Sequence, residues 1–263
     1  MTQLAHELDG TGAAPPLVLL HALGGDMRMW DACRALWEGH RKVVAYDRSA
    51  AGRSPTPDRD YSIDDHVAEL EALRSELGLA TIIPVGNAIG ALVAAAYTAT
   101  YPERVRALVL IDPAVVRGRA PGPSLIEERI ARVAEGGMAA ILPEAVDRAF
   151  HEQPHDERYR AYLERFAHQD PEAYIHSMRS CLDADLSAMY PEIACPVLIL
   201  VGEHDLLFPP AEAERVAALV ADDELHVLDG VAHFPPYQAP ERVADLITTF
   251  ADASTAPADS AKL

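Results

Sequence analysis

The sequence predicts an α/β fold: a mostly parallel central sheet with helices on both faces. Six short runs rich in Val, Ile and Leu carry the prediction: Leu17 to His21, Lys42 to Tyr46, Ile82 to Gly86, Ala107 to Ile111, Val197 to Gly202 and Leu225 to Leu228. Helical patterns separate most of them, and apolar strands alternating with helices imply βαβ units, because a parallel sheet is buried on both faces. Size agrees, since 263 residues with 49% hydrophobic and 24% charged side chains suit one domain with a large core.

The clearest helix follows Tyr61. Ser62 and Asp65 form a capping-box pattern, Ile63, Val67, Leu70, Leu73 and Leu77 line one face, and Gly78 stops it. A second helix is expected from Ile89 to about Thr100, with Ala91, Ala94, Ala95 and Ala96 allowing close approach to the strands. Between Pro113 and Pro196 the strand signal disappears. Helical segments follow one another there, broken by Gly118, Pro121-Gly122-Pro123, Gly136-Gly137 and Pro171. Residues 114–195 therefore read as a helical insertion between two core segments, 1–113 and 196–252. Ligands of open α/β sheets bind at the C-terminal strand edge, so an insertion there is expected to act as a lid. Pro240 opens a last helix through Phe250, with Val243, Leu246 and Ile247 inward. From Ala251 the composition turns to Ala, Ser, Pro and Asp, and 253–263 is expected to be a disordered tail.

Charge excludes several functions. Lys and Arg total 22 against 41 Asp and Glu, a formal charge of -19 that repels phosphate backbones and anionic membranes. Neither nucleic acid nor a membrane surface is an expected partner. Cys33, Cys181 and Cys195 are an odd number without Cys-x-x-Cys spacing, so no disulfide framework or zinc site is indicated and a reducing cytoplasm fits. The N-terminus lacks a signal-peptide pattern, and Ala261-Lys262-Leu263 differs from the peroxisomal Ser-Lys-Leu signal at its first position.

The segment Gly86-Asn87-Ala88-Ile89-Gly90 lies between a strand and a helix, the context that a Gly-x-Ser-x-Gly elbow requires, but alanine stands at its centre. Downstream, Val197 to Gly202 runs into Glu203-His204-Asp205, and Leu225 to Leu228 runs into Asp229-Gly230-Val231-Ala232-His233. A loop carboxylate at Asp205 suits orienting an imidazole at His233, and the chain order elbow, acid, base is that of α/β-hydrolases. Upstream, Leu17 to His21 passes into Ala22-Leu23-Gly24-Gly25, a glycine loop able to offer an N–H to an oxyanion.

On these motifs, from about Leu4 to Phe250, the chain resembles the α/β-hydrolase superfamily. Tyr46-Asp47-Arg48, Gly52-Arg53-Ser54, Tyr101-Pro102-Glu103-Arg104-Val105 and Pro196-Val197 add to the match. The resemblance implies Ala88 at the nucleophile position, Asp205 as acid and His233 as base, with the N–H groups of Leu23 and Ile89 as oxyanion hole. His21 to Trp30 and Tyr61 to Gly78 look most like β-ketoadipate enol-lactone hydrolases; the elbow looks most like the aminoacrylate hydrolase of pyrimidine degradation. Departures are His21-Ala22 for His-Gly, Arg48-Ser49-Ala50-Ala51-Gly52 for Arg-Gly-His-Gly, and a shortened N-terminal hairpin.

Alanine cannot form an acyl-enzyme. Losing such a serine costs ~10⁶ in turnover, about 8 kcal/mol, and leaves ~10³ to 10⁴ over water. That remainder suits an unstable enol, enamine, carbamate or lactone. Three readings stay open: a His233-Asp205 dyad acting as general base; a conventional Ser-His-Asp hydrolase with alanine substituted at position 88; and a non-catalytic small-molecule binder. His21, Asn87, Asp112 and Arg179 are candidate substrate contacts; Asp112 also reads as a second acid or a strand-end cap, and Arg179 as a partner for a substrate carboxylate. His151, His155, His168 and His176 read as surface or lid-lining residues. No motif for nucleotide or flavin and no metal-ligand spacing is present, so no cofactor or metal is expected. Oligomeric state is open, a homodimer being one arrangement.

Overall fold

The computed structural model describes residues 4–115 and 124–255. A short strand, β1 (His6–Asp9), precedes the six expected ones, β2 (Leu17–Leu20), β3 (Val43–Tyr46), β4 (Ile83–Asn87), β5 (Leu108–Ile111), β6 (Val197–Gly202) and β7 (Asp223–Leu228). The sheet order is β1-β3-β2-β4-β5-β6-β7, parallel except for β1 against β3. β1 was not among the apolar runs because His6-Glu7-Leu8-Asp9 is mostly polar and lies only partly buried on the sheet edge. Its backbone pairing with β3, His6 opposite Tyr46, is what defines it.

The helices are α1 (Asp31–Trp37), α2 (Ile63–Glu76), α3 (Ile89–Thr100), α4 (Leu125–Gly136), α5 (Glu144–Ala149), α6 (Glu157–Ala167), α7 (Pro171–Arg179), α8 (Pro210–Ala217), α9 (Pro235–Gln238) and α10 (Pro240–Thr255). Ser62 and Asp65 close the expected capping box of α2, and α3 spans the predicted residues. The strand pleat sends alternate side chains into two cores. Leu17, Leu19, Val85 and Val109 pack with Trp30, Trp37 and Ile247 on one face; Val18, Leu20, Leu108 and Leu110 pack with Leu70, Leu73 and the alanines of α3 on the other.

Helices α4 to α7 lie between β5 and β6 in the chain. Gly137, with φ 63, ends α4, and Pro171 opens α7. The breaks at Gly118 and Pro121 to Pro123 lie outside the described residues. The end of the chain corrects an expectation: α10 continues past Phe250 to Thr255, so residues 253–255 are helical. Ala251 is fully buried, Arg41 pairs with Asp252, and Arg106 Nε donates to the Ser254 carbonyl at 3.0 Å. These contacts outweigh the local composition. The rest of the tail, 256–263, lies outside the described residues. Among the described residues no helix is long and apolar enough to cross a membrane.

The chain leaves β2 toward β3 and returns to β4 on the other side of β2, so the topological switch lies between β2 and β4. Loops diverge there, opening the crevice where α/β sheets bind ligands. Two glycines make the local packing possible. A Cβ on Gly86 would lie 2.2 Å from the Gly90 carbonyl oxygen, and one on Gly90 would lie 2.3 Å from that of Leu20. Both obstacles are backbone and cannot swing away. Gly90→Ala is therefore expected to destabilise the fold by about 1–3 kcal/mol or more, read as a lower urea midpoint.

Candidate active site

β4 ends at Asn87 and α3 begins at Ile89, so the turn is made at Ala88, with φ 52 and ψ -114. A positive φ in an L residue costs roughly 1–3 kcal/mol. Hydrogen bonds hold it: the Ala88 N–H donates to Ile111 O at 2.9 Å, and its carbonyl accepts from Ala91 and Leu92 N–H at 2.9 and 3.2 Å. The elbow read from the sequence is formed. Ile89, as the first residue of α3, has an N–H that helix geometry leaves without an intrahelical acceptor.

Asp205 follows β6 and His233 follows β7, and the two loops bring them together. His233 Nδ1 and Asp205 Oδ2 are 2.7 Å apart, with exposures of 5% and 2% that shut the pair off from bulk water. The other carboxylate oxygen accepts N–H bonds from Leu207 at 2.7 Å and Phe208 at 3.0 Å. Asp205 is thus fixed from both sides. Because the carboxylate can only accept, Nδ1 keeps its hydrogen and donates it to Asp205, which puts the lone pair of a neutral His233 ring on Nε2, the tautomer a general base needs. Phe208 and Phe234 flank the ring at centroid separations of 5.6 and 5.0 Å.

Three of the four residues expected to touch substrate, His21, Asn87 and Asp112, are fully buried and hydrogen-bonded within the protein. His21 is fully buried; its Nδ1 donates to Ala22 O at 2.8 Å and its Nε2 accepts the Arg48 N–H at 3.0 Å. Burial holds its pKa down at about 3, so the ring is neutral and serves the backbone. Asn87 Nδ2 donates to Asp112 Oδ2 at 2.8 Å and lies 3.5 Å from the His233 carbonyl. Asp112, itself at φ 47, also accepts the Gly202 N–H at 3.1 Å. Burial, then the nearby Asp205 charge, push the Asp112 carboxyl well above the ordinary range. Asn87 and Asp112 thus tie β4 and β5 to the dyad. Arg179 is exposed on a recess of about 300 Å³ shared with Tyr61, Ser180 and Asp183, of which Ala88 is not a wall.

The loop after β2 is held by residues that sequence reasoning missed. Arg48, fully buried, directs Nε to the His21 carbonyl at 3.3 Å and Nη2 to that of Ala22 at 3.5 Å. From the insertion, Tyr162 and Gln169 donate to the Gly24 carbonyl. Gly24 has φ 71, and the ring of Phe166 fills the space where a Cβ would stand, 2.1 Å from that position. Leu23 is set between these two supports. Arg48 had a signal in the Tyr46-Asp47-Arg48 motif, whereas nothing local marks Phe166 or Gln169. The four insertion histidines do not converge: His155 stacks on Tyr159 at 3.8 Å, and His168 Nδ1 donates to its own helix at Glu164 O, 2.8 Å away.

A strand-to-helix elbow at the switch point, with a carboxylate-oriented histidine from the loops after the last two strands, is the arrangement of the hydrolase class. The sequence profile of the Alpha/beta hydrolase family matches residues 17–246, and the chain belongs to that family. Among its relatives, the putative carbamate hydrolase RutD of Escherichia coli O9:H4 (strain HS) is 30% identical over 223 residues, 82% of this chain and 83% of that protein. Among solved structures, the enol-lactonase from Burkholderia xenovorans LB400 superposes with a TM-score of 0.88 at 26% identity, covering 95% of this chain and 96% of that one. A thermophilic esterase from Thermogutta terrifontis gives 0.85 at 28% identity, covering 96% and 94%.

Proposed function

We propose that this chain hydrolyses a small carbonyl compound of the enol-lactone, carbamate, enamine or ester type, with His233-Asp205 as general base and without a covalent intermediate. The observation that carries this reading is the buried His233 to Asp205 bond of 2.7 Å, with Asp205 held by two further N–H donors. A passive receptor has no general need for such a pair. Water is the nucleophile: His233 Nε2 takes its proton as the oxygen adds to the carbonyl carbon. The N–H groups of Leu23 and Ile89 stabilise the resulting oxyanion. On collapse the imidazolium returns the proton to the leaving atom, so the site is restored without any group from outside. The named activities of the enol-lactonase, the carbamate hydrolase and the esterase all break an acyl bond of this kind. We assign α4 to α7 the role of a lid over this site, and we infer a cytoplasmic, cofactor-independent enzyme with a small-molecule substrate and no nucleic-acid or membrane partner.

The retained strain at Ala88 supports a second reading. An elbow held at φ 52 is the geometry that presents a serine hydroxyl, so the chain also fits a conventional serine hydrolase with alanine substituted at this position. Ala88→Ser separates the two. Under the first reading, the variant turns over an activated aryl ester no more than about tenfold faster, one decade of rate being 1.4 kcal/mol of barrier, and without a burst. A stoichiometric burst of the aryl product establishes the second.

A further inference from the structure

Asp112 takes no part in the reaction above, yet it is wholly enclosed, and its carboxyl, that of Asp205 and the His233 ring offer atoms that all lie within 4.8 Å of one another. Two carboxylates so close in a low-dielectric interior do not both stay ionised unless a positive charge joins them. That charge is either a metal ion or a proton. The donors already in place decide between them. Asp112 Oδ1 receives the Gly202 N–H at 3.1 Å and Oδ2 receives the Asn87 amide at 2.8 Å. Asp205 receives the Leu207 and Phe208 N–H groups on one oxygen and the His233 Nδ1–H on the other. His233 Nδ1 carries the hydrogen that Asp205 accepts, and Asp205 Oδ1 already accepts two N–H groups, so too few lone pairs converge here to coordinate a cation. A proton needs only one remaining lone pair on each acid.

We propose that Asp112 is a neutral carboxylic acid donating its O–H to Asp205, so that His233, Asp205 and Asp112 form an array with a single negative charge in which Asp112 is a positioning residue. Desolvation of Asp112 and the charge of Asp205 act in the same direction. The titratable groups that reach Asp112 are Asp205 and His233, and the other two contacts, Asn87 and Gly202, are neutral donors. With one negative charge opposite it, the imidazolium formed during turnover can still release its proton to a leaving group; two charges would retain that proton. This kinetic consequence rests on the general-base reading, whereas the protonation state of Asp112 does not.

The test therefore needs no substrate. Infrared spectra at neutral pH are expected to contain the C=O stretch of a protonated carboxylic acid. The band shifts with isotopically labelled aspartate and is lost in Asp112→Asn. Stability gives an independent reading. The folded chain holds a proton on Asp112 that the unfolded chain releases above about pH 4. The folding equilibrium of the wild type should therefore fall relative to Asp112→Asn by about tenfold per pH unit, until the folded carboxyl itself ionises. Absence of the band in the wild type overturns the proposal, as does its persistence in the variant or a pH-independent stability ratio. Stoichiometric zinc or manganese binding by the wild type, abolished in Asp112→Asn, overturns it in favour of a metal.

Discussion

His233→Ala is expected to lower kcat/KM by about 10²–10⁴-fold on a competent enol-lactone, carbamate or ester, with the fold intact by circular dichroism. In the proposed mechanism position 88 supplies no hydroxyl or thiol, so water is deprotonated as it attacks and His233, oriented by Asp205, is the base. The variant keeps Leu23, Ile89 and the elbow, so the proposed oxyanion hole is left to supply the residual rate. An unchanged rate on a turned-over substrate rules out the dyad. Steady-state assays over a panel of small carbonyl compounds, run on both proteins, read the outcome.

Asp205→Asn is expected to cost up to about 10⁴-fold in kcat while preserving shape, because it inverts hydrogen-bond polarity. The carboxylate faces three N–H donors: Leu207 and Phe208 on Oδ1 and His233 Nδ1 on Oδ2. An amide satisfies only one side. If its NH₂ faces the loop, it meets two donors head-on; if it faces His233, the imidazole must move its proton to Nε2 and loses the lone pair needed for catalysis. Nitrogen NMR of the His233 ring distinguishes the tautomers directly. Retention of the Nδ1–H form together with full activity contradicts this role for Asp205.

Much of the fold was legible because burial writes itself into local composition. Strands β2 to β6 are buried along their length and, apart from Asn87 at the end of β4, read as apolar runs. The capping box at Ser62 and the elbow between Gly86 and Gly90 are local motifs whose residues are set by backbone geometry. β1 was not legible in the same way, since an edge strand is defined by pairing and its four residues carry little apolar signal. The extension of α10 was hidden for the opposite reason: Arg41 and Arg106, far away in sequence, fasten residues whose own composition reads as tail. Within the site, Asp205 and His233 stood at strand ends and could be found. The enclosure of His21, Asn87 and Asp112 could not, because a polar residue near a catalytic loop has the same letter whether it faces a ligand or a backbone carbonyl.

Gly24 joins two parts of the molecule that are usually considered separately. Its carbonyl is held by Tyr162 and Gln169 and its missing side chain is replaced by Phe166, so the loop bearing Leu23 and the end of α6 share one conformation. Thermodynamic linkage makes such sharing symmetric. Whatever free energy an oxyanion at Leu23 contributes to fixing the loop, it contributes equally to fixing α6, and a substrate group gripping α6 returns that energy to the loop. Under the proposed roles of Leu23 and of the insertion, selectivity at the outer helix and stabilisation of charge at the inner loop are then a single coupled quantity.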